Sequence, residues 1–324
     1  MKLLFLGGTK FLGRAAVEAA LGRSHEVTLF TRGRTNPELS PEAEHLRGDR
    51  EGDLAPLRGR RWDGVIDTSG YVPHVVRASA SALRDETEQY LFVSSISVYA
   101  DFSAGADEDA PTAALGDLPA DELREDYSNY GPLKALCEEA VRGVFGDRAL
   151  IVRPGLIAGP HDPTGRFTYW PHRVARGGDV VAPAPPERTV QFVDVRDLAA
   201  WMLDLCERKT AGTFNATNPG VSWRELLETC RQVTRSDARF VWLPDEFLVE
   251  RGIGEWMELP LWIQDPEWVG LHLADVSRAL AAGLELRPLE ETVRATLERA
   301  EPTDEAGLTP EREQMLLKAW RARV

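Results

Sequence analysis

Leu3-Leu4-Phe5-Leu6-Gly7-Gly8-Thr9-Lys10-Phe11-Leu12-Gly13 decides how the rest of the chain is read. Four consecutive apolar residues suit a strand buried on both faces, and a helix-period pattern follows over Arg14–Leu21. Glycine lets a backbone approach a pyrophosphate closely, and a helix N-terminus offers free N–H groups and partial positive charge. A strand, a glycine turn and a helix in that order predict a dinucleotide cradle over Gly7, Gly8, Thr9, Lys10, Phe11, Leu12 and Gly13.

Working outward, the same alternation repeats. Val27–Phe30, Gly64–Asp67, Tyr90–Ser94 and Ala149–Arg153 read as further buried strands, with helical patterns over Val75–Leu83 and Leu133–Phe145. This is the pattern of an α/β protein, a Rossmann-type doubly wound parallel sheet whose ligands bind at the carboxyl ends of the strands. Beyond Pro154 the alternation decays and tryptophans gather, so a smaller mixed C-terminal region is expected to carry the substrate. The division predicted is a dinucleotide-binding domain over 1–157 and a substrate region over 158–324, some of whose segments return to the first. Residues 100–127 are too long for a routine connection. They form either a flap over the site or a partly disordered excursion.

The end of the second strand bears on the cofactor. An acidic residue there would bond a ribose 2′-hydroxyl and select NAD(H), but the chain reads Phe30-Thr31-Arg32-Gly33-Arg34. Two guanidiniums on a tight turn suit a 2′-phosphate, with Lys10 as a third positive charge. NADP(H) is therefore expected, with NAD(H) as the alternative.

Farther on stand Ser94-Ser95-Ile96-Ser97-Val98-Tyr99 and Tyr130-Gly131-Pro132-Leu133-Lys134. Residues four apart on a helix share a face, so Tyr130 and Lys134 point into one cleft. A free phenol titrates near 10, and a neighbouring ammonium, together with a positive nicotinamide ring in the oxidised state, is expected to lower it. Tyr130 then acts as acid in reduction and base in oxidation, Lys134 tunes it and holds the nicotinamide ribose, and Ser95 bonds the reacting oxygen. The substrate side is assigned to His161, Arg166, Tyr169 and His172 as polar contacts and Trp170 as a flat wall.

Bulk properties exclude other classes. A net charge of −14 argues against general nucleic-acid binding. No apolar stretch nears the roughly 18 residues of a membrane span, and the early first strand leaves no room for a signal peptide. Cys137, Cys206 and Cys230 are odd in number and widely spaced, so no disulfide framework or metal site is expected. A cytoplasmic protein follows.

Together these motifs make the chain similar to extended or atypical short-chain dehydrogenases/reductases of the NAD-dependent epimerase/dehydratase family. The nearest likeness is to the subgroup that includes chloroplast stem-loop RNA-binding proteins. In such proteins a glycine stands where Lys10 is here. The resemblance implies that Asp49 meets the adenine, that Thr68, Ser69, Gly70 and Ser94 flank the cofactor, and that Pro154, Gly155, Leu156 and Ile157 lie under the nicotinamide. It also implies a homodimer through helices near 75–88 and 130–145, and places Tyr71, Ile96 and Ser97 beside the substrate. Ile96 and Ser97 replace the acidic pair of sugar 4,6-dehydratases. Val190 stands where epimerases often place a diphosphate-binding arginine; Arg188 is about 7 Å away along the strand. The leading expectation is an NADP(H)-dependent oxidoreductase acting on a carbonyl or alcohol of a small metabolite. A nucleotide-sugar epimerase comes second, and a catalytically silent RNA-binding or regulatory member third.

Overall fold

The computed structural model describes residues 1–323. In chain order, its first half comprises β1 (Lys2–Leu6), α1 (Phe11–Gly22), β2 (Glu26–Thr31), β3 (Glu44–Arg47), β4 (Gly64–Asp67), α2 (Pro73–Leu83), β5 (Tyr90–Val93), α3 (Tyr130–Phe145) and β6 (Ala149–Pro154). There follow β7 (Leu156–Ala158), α4 (Tyr169–Ala175), β8 (Asp179–Pro183), β9 (Thr189–Val190), β10 (Phe192–Asp194), α5 (Val195–Glu207), β11 (Gly212–Ala216), and, among later elements, α6 (Trp223–Thr234).

Seven strands form one parallel sheet in the order β11-β6-β5-β4-β1-β2-β3. Strand pleat explains the two layers around it. Leu3 and Phe5 of β1 face a core with Ala16 and Val17 of α1 and Leu198, Trp201 and Met202 of α5. Leu4 and Leu6 face the opposite core, with Val76 and Ala80 of α2 and Cys137 and Val141 of α3. Because helices cover both faces, β1 reads as unbroken hydrophobe rather than alternating. The order of the sheet reverses between β1 and β4, which opens a crevice at their carboxyl ends.

The second half builds a core of its own around Phe167, Trp170, Trp223, Phe247, Trp262 and Leu316. Asp194 caps α5 by accepting from the Arg196 N–H, and Ser222 caps α6 from Glu225. Two segments rejoin the first half: α5 packs against α1, and β11 extends the sheet alongside β6.

The excursion at 100–127 is pinned at its near end. The buried Glu108 carboxylate accepts from the Asn215 N–H at 2.8 Å, and the Ala106 carbonyl accepts from the Asn215 side chain at 3.2 Å. Arg153 donates to the Glu108 carbonyl at 3.2 Å while its fork grips Glu138 at 2.7 and 2.8 Å. No helix among the described residues is long and apolar enough to cross a membrane.

Candidate active site

The glycine turn leaves β1 with Gly7 and Gly8 at φ +103° and +96°, a region that favours glycine. A Cβ on Gly7 would come within 2.8 Å of the Thr68 hydroxyl, and one on Gly13 within 2.9 Å of the Gly8 backbone. The turn is thus closed tightly on itself, and no side chain caps α1. Its N–H groups are left for a ligand. Lys10 is exposed with extended backbone, so its position makes no demand for glycine; Leu12 is buried, and Phe11 carries the strained left-handed backbone at φ 40°. Thr68 and Ser69 donate to the Leu6 carbonyl at 3.3 and 3.0 Å, which fixes the turn after β4 against the glycine turn.

Arg32 and Arg34 are exposed and, among the described residues, make no ion pair. The sequence reading missed a third guanidinium. Arg47 donates to the Thr31 hydroxyl at 2.9 Å, and a Cβ on Gly33 would press against it. Register was the available signal, because Arg47 stands opposite Thr31 across the β2–β3 pair. Asp49 follows β3 and accepts from the Glu51 N–H at 3.2 Å. Arg50, also missed, makes two 2.7 Å bonds to the fully buried Asp67, with further bonds to Ser79 and Ser69. Asp67 also accepts from the Tyr90 hydroxyl at 2.8 Å and from the Ser69 N–H at 3.1 Å. This network holds the Thr68-Ser69-Gly70 turn from below.

Ser95 ends the segment after β5, caps a short 3-10 turn over Ile96–Val98, and donates to Ser97 at 3.0 Å. The adjacent Ser94 hydroxyl is buried without a partner. Tyr130 opens α3 beside it. The approach is close enough that a Cβ on Gly131 would collide with the Ser97 carbonyl, so glycine here sets the distance between the two segments. Lys134 is buried and donates to the Gly70 and Val93 carbonyls at 2.8 and 2.6 Å, under the Phe92 and Tyr71 rings. It ties the ends of β4 and β5 to α3.

One electrostatic expectation is corrected. Burial pushes the Tyr130 phenol up to about 12, and Tyr71 adds to the rise. The groups that act to lower it are the Ser95 hydroxyl and the charge of Arg166 rather than Lys134. Lys134 is itself brought down to about 8 by burial. Desolvation outweighs the neighbouring ammonium, whose charge is spent on two carbonyls.

On the substrate side several expectations change. Trp170 is fully buried, donates to the Pro260 carbonyl at 3.0 Å and packs edge-on to Trp223, so it is core rather than a wall. The Tyr169 ring is buried beside it. Ile96 turns into a small core with Val98, Tyr99 and Ala135. His172 bonds the Ala300 carbonyl at 2.9 Å. Arg188 is no free handle, since it pairs with Asp245 and donates to the Ile263 carbonyl at 3.2 Å. His161 has left-handed backbone and lies in the field of Arg14, on the α1 side. Ser97 and Arg166 stay partly exposed and Tyr71 exposed near Tyr130, with the Tyr71 and Tyr130 rings 6.5 Å apart. Past β6, the Gly155 N–H donates to the Ala216 carbonyl at 3.1 Å, and a Cβ there would meet Thr217 at 3.0 Å. Leu156 is buried and Ile157 partly so.

A parallel sheet in this order, with a glycine turn at its reversal, defines a Rossmann-type dinucleotide-binding fold. Residues 72–217 match the model of the NAD dependent epimerase/dehydratase family. The chloroplast stem-loop binding protein of 41 kDa b of Arabidopsis thaliana is 27% identical over 252 residues, which are 71% of this chain. The chain spans 62% of the length of that relative. Among solved structures, the UDP-glucuronic acid 4-epimerase of Bacillus cereus in complex with NAD superposes with a TM-score of 0.64 at 17% identity, covering 91% of this chain and 97% of the other. The UDP-glucose 4-epimerase of Thermotoga maritima, with UDP-glucose, gives 0.65 at 17% identity over 92% and 98%. At these identities the likeness is one of fold.

Proposed function

We propose that the chain is an NADP(H)-dependent oxidoreductase that reduces a carbonyl, or oxidises an alcohol, of a small metabolite. The observation that carries this reading is the gathering of Ser95, Tyr130 and Lys134 at the carboxyl ends of β4 and β5, beside the glycine turn. The residues fit a nicotinamide dinucleotide: the turn is one that Cβ atoms would fill, and the α1 terminus is uncapped. The N–H groups of that terminus would hold the pyrophosphate, Asp49 the adenosine end, and Arg32, Arg34 and Arg47 a 2′-phosphate. The bound nicotinamide supplies the hydride donor or acceptor.

The remaining work falls to the chain. A phenol held at about 12 is protonated at neutral pH, so Tyr130 rests as an acid and gives its proton to the oxygen of a carbonyl as that oxygen gains charge. Ser95 bonds the same oxygen, and Lys134 keeps the two strand ends in register with α3. The fold neighbours bound to UDP-sugars favour an epimerase as second reading, but Arg188, engaged by Asp245, offers no diphosphate handle. Stem-loop binding, in the name of the Arabidopsis relative, is set against the −14 charge of this chain.

The test is to titrate NADPH and NADH into wild type and Arg32→Ala, then to assay NADPH oxidation with a carbonyl panel in wild type and Tyr130→Phe. NADPH affinity should fall about tenfold in Arg32→Ala with NADH affinity unchanged. Tyr130→Phe should lose on the order of a hundredfold to ten-thousandfold in turnover with NADPH affinity retained. Equal turnover in Tyr130→Phe would end the catalytic assignment.

A further inference from the structure

On the C-terminal side of the crevice, Arg166 is a charged side chain left without a counterpart. Among the described residues no hydrogen bond or ion pair engages its guanidinium, and its Nε is buried with no partner. The nearest carboxylate, Asp162, is committed elsewhere. It accepts from the Thr164 N–H and hydroxyl at 2.8 Å each, and from the Thr168 hydroxyl at 3.0 Å. What does hold Arg166 is the face of Trp256, 4.9 Å from the ring centroid. Trp256 itself sits at φ 65°, a left-handed conformation that is met in a tryptophan mainly where surrounding structure imposes it. Thr303 packs on the preceding residue: it lies so near Gly165 that a Cβ there would strike its hydroxyl, and that hydroxyl is likewise buried without a partner.

A guanidinium whose Nε is sealed from solvent is costly unless it is paired, and this chain pairs its buried arginines, Arg153 and Arg173, and the nearly buried Arg50. The exception stands beside Tyr130, whose phenol feels its charge. We propose that Arg166, held against Trp256, is the receptor for an oxyanion on the substrate. The substrate is then a carbonyl or alcohol compound that also carries a carboxylate or phosphate. This rests on the reading of Tyr130 as the proton donor, and names the class of compound presented to it. A guanidinium fork binds either oxyanion through two parallel N–H donors, and its stacking on an aromatic face fixes the plane of that fork.

Calorimetric titration of the full chain tests this without turnover. Inorganic phosphate and malonate are titrated separately into wild type, Arg166→Gln, Arg166→Lys and Arg32→Ala. Saturable binding of one of them is expected in wild type, kept in Arg32→Ala, reduced at least tenfold in Arg166→Gln and partly retained in Arg166→Lys, which keeps the charge. The anion that binds identifies the substrate group as phosphate or carboxylate. Removing an unpaired, partly buried charge should also leave the melting temperature of Arg166→Gln at or above that of wild type, which separates lost binding from lost fold. No saturable binding, equal binding in Arg166→Gln, or binding that disappears in Arg32→Ala overturns the proposal. NADPH titrated into the same samples reports on the cofactor reading separately. Failure there with Arg166-dependent anion binding intact removes the oxidoreductase and leaves the oxyanion site standing.

Discussion

The two walls of the crevice treat a partly buried arginine in opposite ways. Under the wall formed by β1, β4 and β5, Arg50 meets Asp67 in a two-bond fork and gives two further bonds to Ser79 and Ser69. On the C-terminal wall, Arg166 meets an indole and no carboxylate. A cation with four of its five N–H donors engaged, two of them by a carboxylate, is part of the scaffold, because any other anion would have to displace Asp67. One with donors to spare is equipped for binding. Lys134 falls between the two: its charge is met by carbonyls alone and is reduced by burial.

The sharpest way to break that contrast is Asp67→Ala, which turns Arg50 into a second unpaired buried charge. Stability should fall by about 3–5 kcal/mol, with Arg50→Met together with Asp67→Ala recovering much of the loss. Denaturant melts of the single and double variants decide it, and a single variant as stable as wild type would remove the scaffold role.

Lys134 gives the next effect. Its folded value of about 8 lies below the ordinary lysine value of 10.5, so between those limits the unfolded chain binds more protons. Stability from this group is therefore lowest below pH 8 and rises as pH climbs across that window, by an amount on the order of 3 kcal/mol. Melting curves from pH 7 to about 10.5 should show wild type gaining on Lys134→Met as pH rises. Parallel curves would contradict the burial argument.

The smallest effect belongs to Arg188, whose pairing with Asp245 is only half-buried. Asp245→Asn should cost about 1 kcal/mol in a denaturant melt and leave NADPH affinity unchanged. A rise in affinity for UDP in that variant would restore Arg188 as a diphosphate handle and favour the epimerase.

How much of this was legible beforehand depended on the range of the interaction. β4 has the bounds expected of it, and β1, β2, β5 and β6 lie within a residue or so, because buried parallel strands write themselves as short apolar runs. The glycine turn and the Tyr130–Lys134 spacing are equally local. β3, a four-residue edge strand with half-exposed side chains, has no such signature, and Arg47 and Arg50 were overlooked with it. Trp170 was misjudged because helical spacing does not tell which face meets a core built by Trp223 and Pro260, far along the chain. Arg188 went the same way, since Asp245 is 57 residues distant. The phenol was expected to fall and instead rises, because burial depends on everything packed around Tyr130 and not on the residue four positions on.

The excursion after Tyr99 has a practical consequence. Its base is fastened through Glu108, Ala106 and Asn215, and Arg278 reaches across to Asp109, while Gly116, Asp117, Ala120 and Asp121 lie exposed farther out. Chain inserted at 116–117 would therefore hang from a fixed root without threading between the sheet and α3. That makes the outer bend a natural point for splicing in a reporter peptide or for opening the chain to new termini.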